Sequence, residues 1–399
     1  MLFSPVEHES PTGAWDEARV RASVREIAVD AEQAFDEASW WPVHPRDRDY
    51  AGTDVYITHG LWSGAAGVLW ALHRLDEVGA VTLTRDYASA AARLHDDYLL
   101  HAGGDAPAVP GLWCGEAGIL LVAETIAPEP ERAAKLLGVV RSNASNETNE
   151  VMWGSPGTML AARAMLERTG DVRWAEAWRE SADRLWQGWL LDDELGCHVW
   201  TQQLYGKVSR YVGAGHGLAS NVLALSQLVA DKHRDELTVR AAETVEVLAV
   251  IEEGLANWPP VADGPLEIPE QGIRVQWCHG APGIVTSLAG LTAAPELDEL
   301  LVAGGELTWT AGPLAKGPGL CHGTAGNGFA LLALYGRTGE SVWLDRARAF
   351  AMHALGQVER EREEHGQGRY SLFTGDVGSA LFAWQCIDGD PRFPTIDVW

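Results

Sequence analysis

Gln276-Trp277-Cys278-His279-Gly280-Ala281-Pro282-Gly283 and Gly319-Leu320-Cys321-His322-Gly323-Thr324-Ala325-Gly326 are two near copies of one phrase. Each sets Cys-His directly before Gly-x-x-Gly and an apolar run. Thiolate and imidazole are ligands that zinc prefers, and a catalytic zinc needs three of them with a fourth position open. Two Cys-His pairs can supply that set. The copies lie 43 residues apart, far too distant for a zinc finger, so the fold has to carry both loops to one place. Successive residues on a helix project about 100° apart, and a glycine-flanked turn at a helix start aims both side chains inward more easily.

The phrase recurs along the chain. Gly64-Ala65-Ala66-Gly67, Gly115-Glu116-Ala117-Gly118, Gly154-Ser155-Pro156-Gly157, the degenerate Gly217-Leu218-Ala219-Ser220 and Gly375-Asp376-Val377-Gly378 each precede an apolar segment, which with the Cys-His copies makes seven. Their spacings, 39 to 63 residues, suit a helix pair plus loops. The segments after each phrase are apolar nearly all round and read as buried, whereas 84–100, 171–190 and 340–359 carry one apolar stripe. An all-α fold follows, with an inner ring of buried helices sheathed by an outer amphipathic one. Inward helix N-termini at its centre suit thiolates, carboxylates or an anionic substrate.

Strand signals are sparse. Segments 197–201 and 206–212 are candidates for one short hairpin, and 257–272, rich in Pro and Gly, reads as a loop. Residues 1–50 read as an acidic extension with a helix over 15–38, packing on a single domain formed by 51–399. With 30 Lys+Arg against 56 Asp+Glu the net charge is −26, which disfavours nucleic acid and anionic lipid as partners. No apolar run is long enough to span a membrane, and the N-terminus lacks the pattern of a signal peptide. Five cysteines without an export signal point to reduced thiols and a cytoplasmic protein. The oligomeric state is left open.

Together with Gly215-His216-Gly217-Leu218-Ala219 and Ser371-Leu372-Phe373-Thr374-Gly375, the Cys-His phrases resemble the lanthionine synthetase C-like (LanC-like) family from about Asp54 onward. His279 stands where dedicated lantibiotic cyclases usually have tyrosine, so the likeness is nearer to the stand-alone LanC-like proteins. The resemblance implies an α/α toroid of seven inner and seven outer helices with one zinc ion at its mouth. It implies Cys278, Cys321 and His322 as ligands and His216 as the catalytic histidine. Glu150 matches an acidic position that is Asp in the cyclases, and Arg274 matches an active-site arginine. Lys316 matches a lysine near the glutathione site of eukaryotic relatives, where Arg369 would be a second basic contact. His279 is read as a proton donor beside the ligands.

The implied reaction adds a thiol, from a peptide cysteine or glutathione, to dehydroalanine or dehydrobutyrine, forming a thioether. Partners would be a dehydrated peptide, glutathione or both. The residue types suit this chemistry: a free thiol of pKa ~8.5 is mostly protonated at neutral pH, a metal ionises it, and histidine moves protons near pH 7. Three other readings stay open. One is a closed structural site with His279 as a fourth ligand. Another is a toroid glycosidase using paired carboxylates among Glu150, Glu116 and Asp376. The third is a zinc- or glutathione-binding protein without turnover. Cys114 and Cys386 read as core thiols, and Cys197-His198 has no assigned role. Trp62, Trp113, Trp153 and Trp277, just before the glycine phrases, either line the mouth or pack between helices.

Overall fold

The computed structural model describes residues 1–47, 56–102, 108–228, 230–262 and 272–399. Among them are fourteen helices of eight residues or more: α1 (Glu17–Ala34), α2 (Ala65–Glu77), α3 (Ala88–Ala102), α4 (Glu116–Ile126), α5 (Pro130–Ser142), α6 (Ser155–Thr169), α7 (Val172–Gln187), α8 (Leu218–Ser226), α9 (Asp231–Leu248), α10 (Ala281–Leu288), α11 (Pro295–Ala311), α12 (Thr324–Thr338), α13 (Ser341–His365) and α14 (Asp376–Asp388). The even-numbered helices touch in order, and α14 returns to α2 to close the ring. The odd-numbered helices pack outside them. This is the α/α toroid expected from the sequence.

The two layers differ as their sequences demand. On α12 every residue from Thr324 to Leu334 is buried. On α7 burial is confined to Trp174, Ala177, Trp178, Ser181, Ala182 and Leu185, a stripe at helical spacing. Helix α1 starts where the Asp16 side chain accepts the Arg19 backbone N–H at 3.1 Å. It packs on α14 and α13 and takes the outer place beside α14. We therefore propose that the N-terminal extension and the ring form one unit.

Each glycine phrase begins an inner helix, with Gly64, Gly115, Gly154, Gly217, Gly280, Gly323 and Gly375 as the N-caps. The second glycine serves close approach. A Cβ on Gly326 would stand 1.8 Å from the Leu320 carbonyl oxygen and 3.0 Å from the Trp277 Cβ of the next loop. Adjacent loops can pack this tightly only around a hydrogen atom. Gly326→Ala is expected to cost about 1–3 kcal/mol through overpacking. Denaturant melts read this directly, and an unchanged midpoint would mean that the loops have slack.

Three two-stranded antiparallel hairpins interrupt the helices: β1 (Leu190–Asp192) with β2 (Cys197–Val199), β3 (Gln202–Leu204) with β4 (Lys207–Ser209), and β5 (Val250–Glu252) with β6 (Leu255–Asn257). The segments 197–201 and 206–212 thus do not pair with each other. A turn closed by Gly196 N–H to the Asp192 carbonyl folds β2 onto β1. Tyr205 (φ 55°) and Gly206 (φ 70°) form a two-residue left-handed turn that folds β4 onto β3. The expected loop 257–272 begins inside β6, and its residues 263–271 lie outside the described residues.

After α14 the chain passes beneath the ring and sends Phe393 into its centre. Phe393 stacks on Trp277 with centroids 4.8 Å apart and packs on Phe329, also at 4.8 Å. Trp113 donates its indole N–H to the Thr395 hydroxyl at 3.2 Å. Arg163 ties this segment to α6 through the carbonyls of Ile396 and Asp397. Among the described residues no helix is long and apolar enough to cross a membrane.

Candidate metal centre

Counting back five residues from the second glycine position of each phrase gives Trp62, Trp113, Met152, Gly215, Cys278, Cys321 and Phe373; counting back four gives Ser63, Cys114, Trp153, His216, His279, His322 and Thr374. Backbone hydrogen bonds stitch the loops at the first of these places: Gly215 N–H to Cys278 O, Cys278 N–H to Cys321 O, Cys321 N–H to Phe373 O, Phe373 N–H to Trp62 O, and Trp62 N–H to Trp113 O. Cys278 and Cys321 therefore hold the same place in adjacent loops. Their distance along the chain is one helix pair, and across the ring it is one hydrogen bond.

The ligand atoms of Cys278, Cys321 and His322 lie within 4.8 Å of one another, with both cysteines buried and His322 half-buried. Each sulfur has a donor behind it: Gln276 Nε2 at 3.1 Å from Cys278 Sγ, and the Trp62 side chain on Cys321. The hydrogen bond from Cys321 draws the Cys278 thiol well below its ordinary pKa, and that same bond, with burial next, drives Cys321 well above. Two soft donors, one imidazole and outer hydrogen bonds that orient them are a set that fits zinc. His279 is not a member of the group. Burial holds its imidazole below the usual histidine pKa, and among the described residues its buried Nδ1 has no hydrogen-bond partner.

One loop further round the ring, His216 Nδ1 lies 3.2 Å from Glu150 Oε2. Glu150 is fully buried and also accepts the backbone N–H groups of Met152, Trp153 and Gly154 at 2.8, 2.7 and 3.2 Å. The carboxylate thus caps its own loop and orients the histidine. Trp153 stacks on His216 with centroids 5.9 Å apart and planes 3° apart, and the His279 ring lies 5.8 Å away. Arg274 is exposed, and among the described residues its side chain has no ion pair. Lys316 Nζ donates to Gln276 Oε1 at 3.1 Å, which links it through Gln276 to Cys278. Arg369 is buried and directs its guanidinium at Asp47, with Nε 2.9 Å from Oδ2.

The carboxylates of a glycosidase reading are each engaged separately. Glu116 pairs with His95 at 2.9 Å, Glu150 with His216, and Asp376 with Arg362 at 2.8 Å. Burial pushes Asp376 up to about 6, a value suited to a general acid, but the residue is 1% exposed and closed off by Arg362 and the Arg369 backbone N–H. All five cysteines are buried, and among the described residues none forms a disulfide.

A sequence model of the lanthionine synthetase C-like protein family matches residues 53–398. The chain belongs to this family. The LanC-like chain is 31% identical over 194 residues to Glutathione S-transferase LANCL1 of Danio rerio, covering 47% of this chain and 46% of that protein. It is 34% identical over 135 residues to LanC-like protein GCL1 of Arabidopsis thaliana, covering 31% and 30%. The alignments thus span less than half the length of these curated relatives. Among solved structures, nisin cyclase superposes with a TM-score of 0.59 at 13% identity, covering 92% of this chain and 94% of that one, a likeness of fold.

Sequence reasoning about this LanC-like chain passed over Gln276 and Tyr205. Gln276 was findable, because it occupies the same repeat position as Glu150, seven before the second glycine place. Tyr205, whose hydroxyl is 3.4 Å from His216 Nε2, sits at a hairpin tip outside the repeat. Of the four tryptophans, Trp113 and Trp277 are packed in the core, while the half-buried Trp62 and Trp153 face Cys321 and His216.

Proposed function

We propose that this protein adds a thiol to a dehydroalanine or dehydrobutyrine residue and so forms a thioether, with zinc held by Cys278, Cys321 and His322. The observation that carries this reading is the meeting of that three-residue group with a carboxylate-oriented histidine at the same end of the ring. Zinc bound there would hold the incoming thiol as its thiolate at neutral pH.

The chain's own residues supply the rest. Glu150 accepts the Nδ1 proton of His216, so Nε2 is the basic atom facing the site. His216 takes the proton released by the thiol. As sulfur bonds to the β-carbon and the C=C π pair moves toward the α-carbon, His216 returns that proton there. No atom is left over. Arg274 is proposed to hold the acceptor carbonyl as charge develops on it. His279, neutral through burial, is proposed to border the proton path without binding metal. Lys316 is proposed to meet a carboxylate of glutathione. Arg369 could join it only by releasing Asp47. We further propose that the reaction runs in the reducing cytoplasm, consistent with five cysteines that form no disulfide among the described residues.

Mass spectrometry of the zinc-loaded protein with a dehydroalanine peptide tests this, once with an internal cysteine and once with glutathione. Loss of the free thiol without mass change identifies cyclisation, and the mass of one glutathione identifies transfer. The absence of both changes would refute the proposal, and glutathione binding without product would leave a non-catalytic role. Glu150→Gln removes the negative charge behind His216 and leaves one accepting oxygen where two now serve Nδ1 and three backbone N–H groups. Its kcat is expected to fall about a hundredfold, with little change in KM. Progress curves of the same product measure this.

A further inference from the structure

Tyr205 forms the tip of the β3–β4 hairpin with φ 55°, a backbone region that bulky residues rarely adopt. The turn itself does not call for an aromatic ring: the β5–β6 hairpin makes the same left-handed pair with Glu253 (φ 53°) and Gly254 (φ 81°). Nor does burial call for it, since Tyr205 is 63% exposed. The ring nevertheless stands against the site. Its edge meets Trp153 at 5.7 Å and 87°, and His216 at 5.7 Å and 84°.

The hairpin is braced where it matters. Gln203 N–H donates to the Glu147 carbonyl at 3.0 Å, Tyr211 N–H to the Gln202 side chain at 2.8 Å, and the Asn149 side chain to the Thr201 carbonyl at 2.9 Å. One loop thus positions both the Glu150 carboxylate behind His216 and the Tyr205 ring in front of it. The phenol hydroxyl rests beside Nε2, the atom that an acceptor has to reach.

We propose that Tyr205 is a specificity-determining residue: with Trp153 it receives the flat α,β-unsaturated amide of the acceptor and sets it against Nε2 of His216. The inference rests on the role given to His216 above. A dehydroalanine is planar through its α- and β-carbons and can stack in a notch between two perpendicular rings, whereas a saturated residue is tetrahedral there. The hydroxyl leaves Nε2 as the acceptor arrives.

The test uses zinc-loaded protein, a synthetic pentapeptide with a central dehydroalanine, and glutathione as the thiol. Tyr205→Ala is expected to raise the peptide KM about three- to tenfold while kcat holds, and to weaken calorimetric binding of the peptide without glutathione by a similar factor. Tyr205→Phe keeps the ring and should bring KM back to the wild-type value or below it. An unchanged KM in Tyr205→Ala, or a loss confined to kcat in either variant, overturns the proposal. Cys321→Ala run alongside separates the two levels. Product from that variant refutes the underlying reaction, whereas its silence beside an unaffected Tyr205→Ala refutes only the role of Tyr205.

Discussion

Cys321→Ala is expected to abolish the proposed zinc binding and all measurable thiol addition while keeping its fold. The substitution removes one of only two sulfurs in the group and leaves Cys278 and His322 to hold the ion alone. Even the loss of an outer hydrogen-bond partner costs zinc sites about 10- to 100-fold in affinity, so removal of a ligand should exceed that. The backbone bonds that seat the loop, Cys321 N–H to Phe373 O and Cys278 N–H to Cys321 O, need no side chain and survive. Elemental analysis for zinc, circular dichroism and product mass on one preparation give the result. A variant that kept one zinc per chain and full turnover would show that the chemistry lies elsewhere. Hydrolysis of a glycoside by zinc-free protein would point to the carboxylates instead.

Phe393→Ala carries the largest expected effect on stability, about 3–5 kcal/mol for an aromatic removed from a packed core. Phe393 is fully buried and fills the space between Trp277, Phe329 and Phe373. Those residues belong to three different elements of the inner ring, so no local rearrangement closes the cavity. Trp277 also precedes Cys278, and loss of its stacking partner should loosen zinc as well as lower the midpoint of denaturation. Chemical denaturation with and without added zinc separates the effects. An unchanged midpoint would mean that the ring holds its shape without this filler.

Much of this was legible because a closed ring repeats its contacts. Each inner helix must start at a place where two loops almost touch, and only a very small residue fits there, so the glycine phrase marks the ring in the sequence. Cys278 and Cys321 could be paired from the ligand chemistry of the two Cys-His copies and from the family resemblance, and adjacent copies of the phrase do meet in the ring. The outer layer writes a weaker message. Helix α1 has no glycine phrase of its own, and only its packing on α14 reveals its place. Strand pairing was misjudged because turn geometry acts locally: two left-handed residues at 205 and 206 settle the partner of β4 whatever apolar pattern surrounds them. Arg369 was matched to a basic contact of the glutathione site because nothing in the sequence shows Asp47 lying opposite it.

The segment around Phe393 and the first outer helix together set a timetable for biogenesis. Helix α1 emerges from the ribosome early, but its partner α14 and the segment around Phe393 are more than 300 residues behind. At about 5–20 residues per second, that leaves the Val20, Val24 and Ile27 face waiting for roughly 20 to 70 seconds without its final cover. A nascent chain stalled before the segment around Phe393 is therefore expected to be an early client of chaperones.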